Sequence, residues 1–147
     1  MKSLFDESTY SEVQDRINKI ESNKSPLWGK MTAAQMFSHI LVPVEVALEK
    51  KPPVGKPNFL MKLLFKKMMY DDRLFKKNMP TPKPFRIEED KNFQEAKYKL
   101  ITVVNEAYRQ RDQKNWPKHP IFGDFTTEQT GKMLYKHLDH HLRQFDV

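Results

Sequence analysis

Four long stretches of this chain place their apolar residues three and four positions apart, and no stretch of any length alternates them every second residue. That pattern constrains the fold more than any other feature. A 3.6-residue period gathers apolar side chains on one helix face, whereas a half-buried strand needs a period of two. Val13, Ile17 and Ile20 form the first stripe, over about Thr9 to Glu21, with Asp6 or Ser8 to cap it. The second runs through MTAAQMFSHILVPVEVALEKK. Thr32 is its N-cap, Gln35 stands at the capping-box position, and Met36, His39, Ile40, Val44 and Ala47 lie on or near one face. The third spans about Asp90 to Arg111, with Phe93, Ala96, Leu100, Val103, Val104 and Ala107 as its stripe. The last is TTEQTGKMLYKHLDHHLRQF, capped by Thr126 with Gln129 in the box position. From Thr127 to Phe145 it would run roughly 28 Å.

The segments between these stripes set the topology. SNKSPLWGK and DQKNWPKHPIFGDF read as loops. KKPPVGKP is a linker, and NMPTPKPF is Pro-rich and extended, too long for a hairpin connection. Between them NFLMKLLFKKMMYDD reads as a short basic amphipathic helix. Leu60, Leu63, Leu64 and Met68 face one way, and Lys62, Lys66 and Lys67 lie elsewhere. Such a helix suits a lid on the core, a partner subunit or a membrane surface. The expectation is an all-α, up-and-down antiparallel four-helix bundle with a short extra helix in its crossover, one domain over residues 1–147. Pro43, inside the second stripe, cannot donate to the carbonyl of residue 39, so a kink is expected there. The kink either curves the helix for packing, the commoner case, or aims His39. Glu88, Glu89 and Asp90 are consecutive and do not converge as catalytic carboxylates. They would dress the start of the third long helix, where negative charge is favoured.

Composition removes several chemistries. With no cysteine there is no disulfide framework, thiolate nucleophile, Cys-ligated zinc or iron–sulfur cluster, so any metal must sit on His, Asp or Glu. Four glycines form none of the phosphate-cradling loops, and no nucleophile-elbow serine motif occurs. No apolar run approaches the length of a membrane span, and the N-terminus lacks the apolar core of a signal peptide. The expectation is a soluble cytoplasmic protein. The formal charge of +7 concentrates at Lys50, Lys51, Lys56, Lys62, Lys66, Lys67, Arg73, Lys76, Lys77, Lys83 and Arg86, with Phe59, Phe65, Phe75 and Phe85 interleaved. No nucleic-acid-binding motif accompanies them, and Lys far outnumbers Arg. A solvated surface is therefore favoured over nucleic-acid binding.

The histidines carry the clearest chemistry. His137 and His141 are four apart on the last helix, hence stacked on one face, and His140 lies beside them. His39 sits on another helix. Two imidazoles at i and i+4 can share one ion with a third from a facing helix. Three neutral ligands leave coordination positions open, as in catalytic rather than closed structural sites. The plainer readings stand beside this one. His39 would be a satisfied core histidine, and HxxHH a polar shoulder. His119, in a His-Pro loop, reads as a turn or packing residue, or a group behind the ligands.

LWGKMTAAQMFSHI, HPIFGDFT and YKHLDHHLRQF, in that order, closely resemble the signature segments of a domain-of-unknown-function branch of the DinB/YfiT-like metalloenzyme superfamily. The resemblance covers nearly the whole chain, and is loose from about Lys50 to Arg86. It implies a four-helix bundle, commonly dimeric, with a divalent metal held by His39, His137 and His141. In a scheme some relatives use, the pair shifts by three, onto His140 and Gln144. Gln144 replaces a histidine there, so His137 and His141 are preferred. Gln35, His140 and Gln144 are then candidates to support the ligands. The resemblance also implies a small-molecule substrate and possible thiol-dependent transfer, because a metal-bound thiol loses its proton. An all-imidazole set suits zinc, nickel or iron. The non-enzymatic alternatives are a protein stabilised by its metal and a basic module for anionic surfaces.

Overall fold

The computed structural model describes residues 1–53, 55, 58–81 and 83–147, without the side chain of residue 84. Lys56 of the basic segment and parts of both expected connectors therefore lie outside the described residues. Among the described residues the chain is all-helical: α1 (Glu7–Lys19), α2 (Ala33–Ala47), α3 (Phe59–Phe65), α4 (Phe93–Arg109) and α5 (Thr127–Gln144). Single 3-10 turns form at Lys67–Met69 and Lys83–Phe85, the second within the segment expected to be extended. There is no strand among these residues, only an isolated bridge between His119 and Gly123.

Both expected capping boxes form. The Thr32 hydroxyl accepts from the Gln35 N–H while the Gln35 side chain accepts from the Thr32 N–H, and Thr126 and Gln129 do the same. Where the caps are weaker the boundaries move. α1 begins two residues before Thr9 and ends two before Glu21. Its N-cap is Asp6, whose carboxylate accepts from the Ser3 N–H instead of from the helix. α4 starts at Phe93 behind Asn92, whose side chain accepts from the Glu95 N–H. Glu88, Glu89 and Asp90 therefore precede the helix and do not dress its first turn, because Asn92 supplies the cap. α2 runs on through Pro43.

Each of α1 and α2 packs against both α4 and α5, with α2 on α4 the largest contact. Val13, Ile17, Met36, Phe37, Ile40, Leu100, Val104, Leu134, Leu138 and Leu142 are buried between them. Polar contacts fix the α1 register. Asn105 on α4 accepts from Tyr10 and Gln14 at 2.7 and 2.6 Å, and Arg16 reaches Asp139 on α5 at 2.9 Å. α3 does not bury its apolar side: Leu60, Leu63 and Leu64 are exposed, and Phe59 is 80 % exposed. Its Lys66 turns back to donate to the Asp124 carbonyl and lies over the Phe125 ring. Of the three expected settings for its apolar side, the lid on the core is the one that does not form. A lysine meets the body of the protein through a carbonyl and a ring face, and the leucines face out.

Candidate metal centre

α2 carries His39, and α5 carries His137 and His141. The capping boxes fix where each helix begins, and the packing of α2 on α5 sets the three rings together. One ligand nitrogen from each lies within 4.8 Å of the other two. The ring centroids are 5.2 Å (His39–His137), 4.8 Å (His39–His141) and 4.9 Å (His137–His141) apart, with interplanar angles of 73°, 74° and 81°. His39 and His141 are 8 % and 7 % exposed.

Hydrogen bonds settle which nitrogens are free. His39 Nδ1 is 2.9 Å from the Phe85 carbonyl, which can only accept, so Nδ1 carries the proton and Nε2 the lone pair. His141 Nδ1 lies 2.8 Å from Gln144 Oε1. The Gln144 amide is oriented from its other end, where Nε2 donates to the Trp28 carbonyl at 2.6 Å. His141 therefore also donates through Nδ1 and keeps Nε2 free. Metal-binding histidines are commonly held this way. Gly29 makes the arrangement possible. Its φ is +79°, and a Cβ there would stand 2.7 Å from Gln144 Nε2.

Burial keeps these rings uncharged. It pushes His141 down to about 3, with His39 adding to the shift and the Gln144 bond opposing it. It pushes His137 well below the ordinary histidine value, helped by His141, His39 and His140. His39 is lowered by burial against the opposing effect of the Phe85 carbonyl. The donor set fits a borderline divalent cation: three neutral imidazoles, unprotonated at neutral pH, two of them with Nε2 free. Asp139, on the same helix, is turned to Arg16.

The other expected residues fall into separate places. His140 is not one of the three convergent rings. It lies 5.7 Å from the Trp28 ring and 5.8 Å from Phe75, and its pKa is lowered by burial and by Arg143. Gln35 is occupied at the start of α2, where it closes the capping box and donates to the Glu89 carbonyl. His119 organises a turn. Its Nδ1 accepts from the Ile121 and Phe122 N–H groups at 3.1 and 3.2 Å, and its backbone pairs with Gly123. The Phe85 and Trp28 carbonyls had no signal in the sequence, since backbone acceptors carry no residue type; Gly29 was the one visible mark of the close approach. Lys136 was also missed. It is 5 % exposed and donates to the Met68 and Asp71 carbonyls and to the Asp71 carboxylate.

Much of the basic segment is held by intramolecular partners. Lys50 pairs with Glu106, Lys51 with Glu45 and Arg73 with Asp71, and Lys77 lies over Trp28. No helix of the described residues is long and apolar enough to cross a membrane. No curated protein and no solved structure matches the chain. Residues 5–147 match the family model described as "Protein of unknown function (DUF1569)", and the chain, His39, His137 and His141 included, belongs to that family.

Proposed function

We propose that this protein is a metal-dependent enzyme of the DinB/YfiT-like superfamily that acts on a small molecule, with thiol-dependent transfer as the reaction type. In this reading α1, α2, α4 and α5 are the four helices of an up-and-down bundle, and α3 is the extra helix in its crossover. The reading also takes the protein to be cytoplasmic and homodimeric. His39, His137 and His141 hold one divalent ion, with zinc, nickel and iron the candidates. The observation that carries the reading is the convergence of three imidazoles from two helices, those of His39 and His141 buried and that of His137 half-buried. A divalent ion on three neutral ligands keeps its full charge and open positions, and so acidifies a thiol or water that reaches it. The residues behind the ligands have distinct tasks. The Phe85 carbonyl and Gln144 fix the His39 and His141 rings, and the Trp28 carbonyl fixes Gln144.

The test is elemental analysis of untagged protein, wild type beside His137→Ala, followed by thiol-consumption assays with an electrophile. The expected result is about one equivalent of transition metal in the wild type, its loss in the variant, and turnover that falls with it. No metal in either protein after reconstitution overturns the reading. Metal without turnover, together with a lower Tm on chelation, assigns the ion to stability alone.

A further inference from the structure

All seven residues of α3 are exposed, and the exposure is uneven around the helix. Phe59, Leu60, Leu63 and Leu64 are 80 %, 60 %, 68 % and 59 % exposed, whereas Met61 and Phe65 are 38 % and 37 % exposed. Successive residues of a helix turn by about 100°, so the first four share one side and form an apolar ridge roughly 10 Å long. Lys66 keeps helical backbone angles, so Lys67, four residues after Leu63, stands at the end of that ridge, and it too is exposed.

The helix is moored at both ends to the loop before α5. The Asn58 N–H donates to the Ile121 carbonyl at 3.5 Å, and Lys66 donates to the Asp124 carbonyl and lies over the Phe125 ring. The Asn58 side chain caps α3, accepting from the Met61 N–H at 3.0 Å. The ridge therefore faces outward on a helix that is held in place. Contiguous apolar surface of this kind marks a docking face.

Charge says what the ridge meets. Residues 50–86 carry eleven Lys and Arg against Asp71 and Asp72, a net of +9, while the rest of the chain carries −2. Both acids are already paired, Asp71 with Arg73 and Lys136, and Asp72 with the N-terminal amine. Lys62, Lys67, Lys76 and Lys83 have no ion-pair partner among the described residues. A second copy on this face would set two such segments against each other, because a two-fold interface pairs a patch with itself. A homodimer would therefore use another face. An acidic groove on a protein partner would meet the ridge alone. A plane of negative charge meets the ridge and the surrounding lysines together, and long lysine stems lie along an apolar boundary while their ammonium groups stay in water.

We infer that α3 and its basic surroundings form a docking surface for an anionic phospholipid bilayer. Phe59, Leu60, Leu63 and Leu64 enter the headgroup boundary, and Lys67 meets the lipid phosphates. The protein lies on the membrane by this face and does not cross it. The inference is independent of the metal reading, since none of its residues is among the three convergent histidines or their hydrogen-bond partners.

The experiment is co-sedimentation of the full-length protein, in physiological salt, with vesicles of equal parts phosphatidylglycerol and phosphatidylcholine, beside vesicles of phosphatidylcholine alone. The expected result is saturable binding to the anionic vesicles and little to the neutral ones. The double substitution Leu63→Gln, Leu64→Gln should weaken binding by about tenfold or more, and Lys67→Gln by about fivefold. Both variants should keep the wild-type Tm, because the side chains they change are exposed. Phe59→Trp should add an emission that shifts to the blue on anionic vesicles and is quenched by brominated lipid. No binding to the anionic vesicles overturns the inference, as does binding that the leucine substitutions leave unchanged, which would be adsorption by charge alone. Self-association that these substitutions abolish, without vesicle binding, assigns the ridge to a second copy and overturns it as well.

Discussion

Gln144 accepts from His141 with its oxygen and donates to the Trp28 carbonyl with its nitrogen, so one amide couples the His141 ring to a loop more than a hundred residues away. Gln144→Leu keeps the volume and removes both bonds. It should weaken metal binding roughly 10–100-fold with the fold intact, read by competition with a chelating dye. His119 predicts a pH effect on stability. Burial lowers its pKa to about 4, whereas the unfolded chain takes up the proton near 6.5. The unfolded state therefore binds more protons between those values. The stabilisation is complete above pH 6.5 and is lost as pH falls toward 4, by at most roughly 1.4 kcal/mol per pH unit. Urea unfolding at pH 7 and pH 5 should show this loss, and His119→Gln should reduce it. The buried site histidines act in the same direction, so the comparison is between slopes.

Among the elements, α2 and α5 were the most legible in sequence because their starts are written twice, by the apolar period and by a capping box. Thr126→Ala removes one cap and should cost about 1 kcal/mol in urea unfolding. α1 and α4 have weaker signals. Asp6, the more distant of the two caps expected for α1 and three residues before Thr9, and Asn92, two residues past the expected start of α4, took the cap positions. α3 was legible as a helix, but not which of its sides meets the body of the protein. Its period says which residues share a side, and only the loop around Asp124 decides that Lys66 turns inward.

At the scale of the molecule, Lys136 and Asp71 join α5 to the segment after α3 through an ion pair of 2.8 Å whose side chains are 5 % and 13 % exposed. Burial raises the Asp71 carboxyl, but hydrogen bonds from Lys136 and Arg73 outweigh it and hold the group at about 2. Lys136→Met leaves the Met68 and Asp71 carbonyls without their donor and the Asp71 carboxylate with Arg73 alone. It should destabilise the protein by roughly 3 kcal/mol in urea unfolding and open residues 68–75 to proteolysis. A cost below about 1 kcal/mol would show the pair to be as weak as an exposed one.

The sequence by itself determined what is local. A 3.6-residue period made the chain helical, a serviceable N-cap and its box residue started α2 and α5, and the spacing of His137 and His141 stacked two imidazoles on one face. Each of these is decided within about one helical turn, where covalent geometry fixes which groups can meet. The tertiary structure decided what joins distant residues. It brought His39 to the pair on α5, gave it the Phe85 carbonyl, set the Trp28 carbonyl and Gly29 against Gln144, and buried Lys136 and the Trp116 indole. Those contacts depend on how helices and loops pack, and a backbone carbonyl offers the same acceptor whichever residue carries it.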